Sequence, residues 1–187
     1  MRLASILLLS AALPALQAQQ IPRPAMDYTI TLVSGKPTSV SSYKGKVIAV
    51  EFLLTTCPHC QQTAKVLTAM TKEFGAKGFQ ALGAAINEKP DIDQFIVDMK
   101  VNYPVGTGPR EGVYTFLQHS VMSPNLNMPQ LVFIDKAGMV RAQYAGTDDF
   151  FKDEEKNIRS LLVKLLAEPA TKSTSGTKAV APAKKAS

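Results

Sequence analysis

The stretch KVIAVEFLLTTCPHC, residues 46–60, restricts the fold more than any other part of the chain. An apolar, β-rich run of this kind fits a strand buried on both faces. Within a few residues it reaches Pro58, which suits the first position of a helix because it has no N–H to leave unpaired. A buried strand feeding straight into a helix is the building step of an α/β fold. Both cysteines of the chain, Cys57 and Cys60, sit at that junction.

The rest of the chain supports the same class. YTITLVSGKPTSVSSYKGK predicts two short strands around the turn Ser34-Gly35-Lys36-Pro37. A helix is expected from Pro58 to about Phe74, with Ala64, Leu67 and Phe74 facing inward and Gly75 near its end. FQALGAAI (79–86) reads as a second buried strand, and DIDQFIVDMK (91–100) as a helix with Asp91 at its N-cap. Between 103 and 127 the glycines and Pro109 break any regular pattern, apart from a short helix at VYTFLQH. QLVFID and MVRAQYAG make a hairpin about Lys136-Ala137-Gly138. A last amphipathic helix is expected over 150–167, with Ile158, Leu161, Leu162 and Leu165 at helical spacing. The expected architecture is a central mixed β-sheet flanked by helices, with an N-terminal β-hairpin extension.

The formal net charge of +6 belongs to the ends. Arg2, Lys172, Lys178, Lys184 and Lys185 account for five of those charges, so the middle of the chain is close to neutral and offers no nucleic-acid-binding face. Residues 1–18 have the layout of a secretory signal peptide: Arg2, an apolar run from Leu3 to Leu13, and Pro14 before small and polar residues. Cleavage is expected after Ala18, with an uncleaved membrane anchor as the alternative. Residues 19–27 read as an extended lead-in, 28–167 as the folded domain, and 168–187 as a disordered basic tail too poor in apolar residues to pack. The expected location is the periplasm or the outside of the cell, where disulfides persist.

Cys57 is placed at the N-terminal edge of a helix, where unpaired N–H groups and the helix dipole favour a thiolate. A protonated His59 adds to that effect. Cys60, one turn along, is placed to attack a mixed disulfide formed at Cys57. An inert disulfide is a weaker reading, because a two-residue loop gains little from closure. Half of a zinc site is another, but no second Cys pair exists and the only further histidine is His119. His119 itself reads as a polar residue on a short helix, with a redox or metal role as the alternative. Glu51 interrupts the apolar strand on the side opposite Val50 and Phe52. Buried there, its carboxyl is expected to resist ionisation and to exchange a proton with Cys60. Pairing with Lys46 or reaching water at a sheet edge are the plainer possibilities. Met128-Pro129 marks the start of QLVFID, and an X-Pro bond is usually trans.

The ordered set YKGKVIAVEFLLTTCPHC, FQALGAAINE and MPQLVFIDKAGMVRAQYAG resembles thioredoxin-fold proteins, especially the exported TlpA/ResA-like thiol-disulfide oxidoreductases, over about residues 26–167. The resemblance implies Cys57 as the attacking cysteine, Cys60 as the resolving one, and Pro129 as a cis-proline facing them. It puts Glu51 where thioredoxins carry a buried acid, and Met128 and Pro58 at substrate-facing positions. Thr55 and Thr56 stand where the family commonly has a tryptophan, and the Cys-Pro-His-Cys motif is similar to that of DsbA.

The expected function is therefore exchange of disulfides with protein substrates, in the oxidase or isomerase direction, by a monomer that needs no organic cofactor. A membrane or periplasmic redox partner would reset the pair. Keeping apocytochrome or copper-site thiols reduced is the alternative, and a copper- or zinc-binding chaperone the non-enzymatic one. A peroxiredoxin-like peroxidase would need threonine at the position of Leu54.

Overall fold

In the computed structural model, which describes residues 21–120 and 125–170, the apolar run becomes the central strand of an eight-stranded sheet. The strands are β1 (Arg23–Pro24), β2 (Thr29–Leu32), β3 (Pro37–Ser39), β4 (Val47–Leu53), β5 (Phe79–Ala85), β6 (Val105–Thr107), β7 (Gln130–Ile134) and β8 (Met139–Ala145). Their order across the sheet is β1-β8-β7-β4-β5-β6-β2-β3. β4 runs parallel to β5 and antiparallel to β7, so the sheet is mixed at its centre.

Every residue of β4 is buried because both faces are covered. Val47, Ala49 and Leu53 pack under α1 (Pro58–Phe74) and α4 (Glu154–Ala167), with Leu67, Met70, Ile158 and Leu162. Ile48, Val50 and Phe52 pack on the other face against α3 (Arg110–Leu117), through Val113, Phe116 and Leu117. Phe52 meets the Tyr28 and Phe116 rings edge-on at 5.0 and 5.3 Å. The remaining helix, α2 (Ile92–Met99), has the expected cap: the Asp91 side chain accepts from the Gln94 N–H.

α1 ends at Phe74 with Gly75 at its C-cap, as expected, and a tight turn over Gly75–Lys77 follows before Gly78, at φ 97°. Three details differ from the sequence expectation. The stretch 103–127 supplies a strand, β6, which pairs with β5 and β2. The lead-in is docked to the domain through β1 on β8, and buried Arg23 donates to the Phe116 carbonyl and to Gln143. The last helix begins as a tight turn over Asp149–Asp153 before the α-helical Glu154–Ala167. The signal segment and all of the basic tail beyond Ala170 lie outside the described residues. Among the described residues, no helix is long and apolar enough to cross a membrane.

Candidate active site

The turn from β4 to α1 is fixed by hydrogen bonds from three directions. Cys57 N–H donates to the Leu54 carbonyl at 3.0 Å, the Gln61 amide donates to the Thr55 carbonyl at 2.9 Å, and Thr55 N–H donates to Asn87 Oδ1 at 3.2 Å. Cys57 occupies the N-cap with extended backbone and Pro58 the first helical position, as the sequence requires. Both cysteines are free thiols; Cys57 is half-buried and Cys60 fully buried. Pro58 is exposed, and the His59 ring stands edge-on to Phe151 at 4.7 Å.

Glu51 points to the α1 side of β4 and is 0 % exposed, with no hydrogen-bond partner for either oxygen. That excludes the sheet-edge possibility. Lys46 is not its partner either, since its Nζ reaches Gln80 Oε1 instead. Burial first, then the charges of Glu154 and Cys57, push the Glu51 carboxyl well above the ordinary carboxylate range. Burial and then Glu51 push the Cys60 thiol up, while a hydrogen bond with the Leu54 backbone works the other way. Glu51 and Cys60 are thus electrostatically coupled acids on one side of the sheet.

The β4–β7 register pairs Phe52 with Gln130, so Pro129 arrives at the end of β4 from which the chain runs to Cys57. The Met128–Pro129 peptide is cis. Met128 is half-buried and packs on the same core layer as Cys57. Gly146 holds this loop: its N–H donates to the Asn127 carbonyl at 2.9 Å, and a Cβ there would collide with the Met128 carbonyl oxygen. His119 lines a polar cavity of about 150 Å³ with Asp148 and with Asn127 and Gln130, which flank Met128–Pro129. Among the described residues no group of three or more histidines, cysteines and carboxylates could hold a metal ion.

Sequence reasoning missed Glu154, Thr63, Asn87 and Gly146. Thr63 carried one usable signal, its place three residues after Cys60 on the same helix face.

The sequence profile of the AhpC/TSA family matches residues 21–143, about two thirds of the chain. The chain belongs to the AhpC/TSA family. Solved structures agree on the fold of this AhpC/TSA protein. A thiol:disulfide interchange protein of the thioredoxin family from Chlorobium tepidum is 27% identical, with a TM-score of 0.62, over 78% of this chain and 99% of that one. The thioredoxin domain of a thiol-disulfide oxidoreductase from Bacteroides vulgatus is 21% identical, with a TM-score of 0.58, over 74% and 98%. A secreted thiol-disulfide isomerase from Corynebacterium glutamicum is 18% identical, with a TM-score of 0.62, over 78% and 85%. The expected thioredoxin-like fold is the observed one. Among curated proteins, none matches the sequence.

Proposed function

We propose that this thioredoxin-like thiol-disulfide oxidoreductase is an exported protein that exchanges disulfides with protein substrates through Cys57 and Cys60, as its TlpA/ResA-like sequence implies. The observation that carries the reading is the pairing of two free thiols at the start of α1 with a buried, unpartnered carboxyl at Glu51. Inert structural cysteines have no use for such an acid, and burying one is costly.

In the reducing direction, the Cys57 thiolate attacks a substrate disulfide, and one substrate sulfur leaves with the electron pair of the broken bond. Once Glu51 has lost its own proton, Cys60 gives its proton to that carboxylate and attacks the Cys57 sulfur. The second substrate sulfur leaves, so the substrate gains two electrons and the enzyme holds a disulfide. The reverse sequence donates that disulfide. His59 supports the donating or isomerising direction, because a charge that favours the thiolate favours the reduced enzyme. In this reading Met128 and Pro129 present backbone to an extended substrate segment, and Pro58 lines the exposed side of the thiol. A membrane or periplasmic redox protein resets the pair. A peroxidase reading lacks its threonine, since position 54 is leucine.

The test is the reduction potential of the pair against glutathione, read by alkylating free thiols. A value between about −120 and −180 mV supports an oxidase or isomerase, and one near about −270 mV a reductant. Failure to form any reversible disulfide sinks the exchange reading and favours a metal chaperone.

A further inference from the structure

The chain passes from β4 to Cys57 through the turn Leu54–Cys57, closed by the Cys57 N–H on the Leu54 carbonyl. Thr55 is the first inner residue of that turn and is buried, at 8 % exposure. Each of its polar groups is engaged. The backbone N–H donates to Asn87 Oδ1 at 3.2 Å, the hydroxyl accepts from Asn87 Nδ2 at 3.2 Å, and the carbonyl accepts from the Gln61 amide at 2.9 Å. A backbone N–H can only donate, so the Asn87 amide has one possible orientation, oxygen to the Thr55 N–H and nitrogen to the hydroxyl.

Asn87 can make this contact because of where β5 stops. The β4–β5 ladder runs to Leu53 beside Ala85, and the Ile86 N–H extends it with a bond to the Leu53 carbonyl at 3.0 Å. Ile86 is buried, so the backbone just before Asn87 is rooted in the core. Beyond Leu53 the chain bends toward α1, and the Asn87 side-chain amide stands in for a strand peptide, offering one acceptor and one donor. The turn held in this way touches both sulfurs. Leu54 accepts from the Cys57 N–H, its backbone is hydrogen-bonded with the Cys60 thiol, and the two cysteine side chains are hydrogen-bonded with each other.

We propose that Asn87 is a positioning residue for the exchange reaction: by holding Thr55 at both its N–H and its hydroxyl, it fixes the Leu54–Cys57 turn and keeps the Cys57 sulfur in line for Cys60. This rests on the reading of Cys57 and Cys60 as an exchange pair. The step that needs the alignment is closure. The Cys60 thiol gives its proton to the ionised Glu51 carboxylate, its sulfur bonds to that of Cys57, and the substrate sulfur leaves Cys57 with the electron pair. Closure is intramolecular, so its rate depends on how well the two sulfurs are held in attacking geometry. The first attack, by the half-buried Cys57 on a disulfide arriving from solution, does not depend on where Cys60 lies.

The experiment uses the reduced protein and a chromogenic aromatic disulfide. Coloured thiol is released twice, first by attack of Cys57 and then by closure of Cys60. Asn87→Ala removes both hydrogen bonds to Thr55. The expected result is a first release within about twofold of wild type and a second release slower by about tenfold, the scale set by two hydrogen bonds of ordinary net strength. Thr55→Val, which keeps the shape of the side chain and removes one of the two bonds, should slow the second release by about threefold, and Thr55→Ser should recover most of that loss. In the T55V/N87A double variant the second release should match that of N87A alone, because no bond is left for T55V to remove. T55V carries the test if N87A does not fold. A second release that N87A, or T55V in its place, leaves at the wild-type rate overturns the inference alone, as does equal slowing of both releases or a double variant in which the two effects multiply. Absence of any second release from the wild-type protein overturns the exchange reading and the inference together.

Discussion

Replacing Glu51 by glutamine should make the reduced protein more stable, by an amount that grows with pH. In the folded chain this carboxyl is wholly buried and unpartnered, so the fold prefers it protonated. In the unfolded chain it titrates near its ordinary value of 4.5. Below that pH both states hold the proton, and the group adds no pH dependence. Above it the unfolded chain has released the proton while the folded chain keeps it. Folding stability therefore falls with rising pH, by about 1.36 kcal/mol per unit, until the folded carboxyl ionises. Over the two units from about pH 4.5 to 6.5 the loss reaches at most about 2.7 kcal/mol. Glutamine has nearly the same shape and no charge to lose, so E51Q should lack this slope. Urea unfolding of the reduced proteins at a series of pH values would measure it. Far-ultraviolet circular dichroism is the suitable probe, because the chain has no tryptophan. Stability curves for E51Q and wild type that run parallel across the whole range would refute the reasoning.

Two further substitutions probe the supports of the site. Gly146→Ala should slow disulfide exchange about tenfold or more, since its methyl group must displace the Met128 carbonyl and with it the loop carrying Pro129; mixed-disulfide formation with a model peptide at the wild-type rate would show that this loop's position is not used. Phe52→Ala should cost about 3–5 kcal/mol, because the side chain is fully buried between the Tyr28 and Phe116 rings; a loss under about 1 kcal/mol in urea unfolding would mean that the α3 layer does not share the main cooperative core.

How far the sequence could be read depended on where each structural decision is made. β4, α1, β5 and the β7–β8 hairpin are specified locally, by apolar runs, Pro58 and the turn at Gly138, and they form where those signals put them. β6 and β1 are not. Val105-Gly-Thr107 and Arg23-Pro24 are too short and too rich in glycine and proline to be strands by preference. They are extended because β5, β2 and β8 offer them partners. In the site, Glu51 was visible because a lone acid in an apolar strand is out of place. Glu154 was not, because an acid in the first turn of a helix is ordinarily explained by the helix dipole. Only the packing of α4 against α1 turns it into a buried group with Thr63 as its partner.

The two cysteines have a consequence for the durability of the protein itself. The chain has no others, and both stand as free thiols while the two core layers are filled by aliphatic and aromatic side chains. A protein that trades disulfides for a living works among reactive sulfurs, and a scaffold cross-linked by sulfur would be open to attack by its own thiolate or by a substrate's. This one has no cross-link to lose and no wrong partner within its own chain to find. Its framework is made of material that its own chemistry cannot touch.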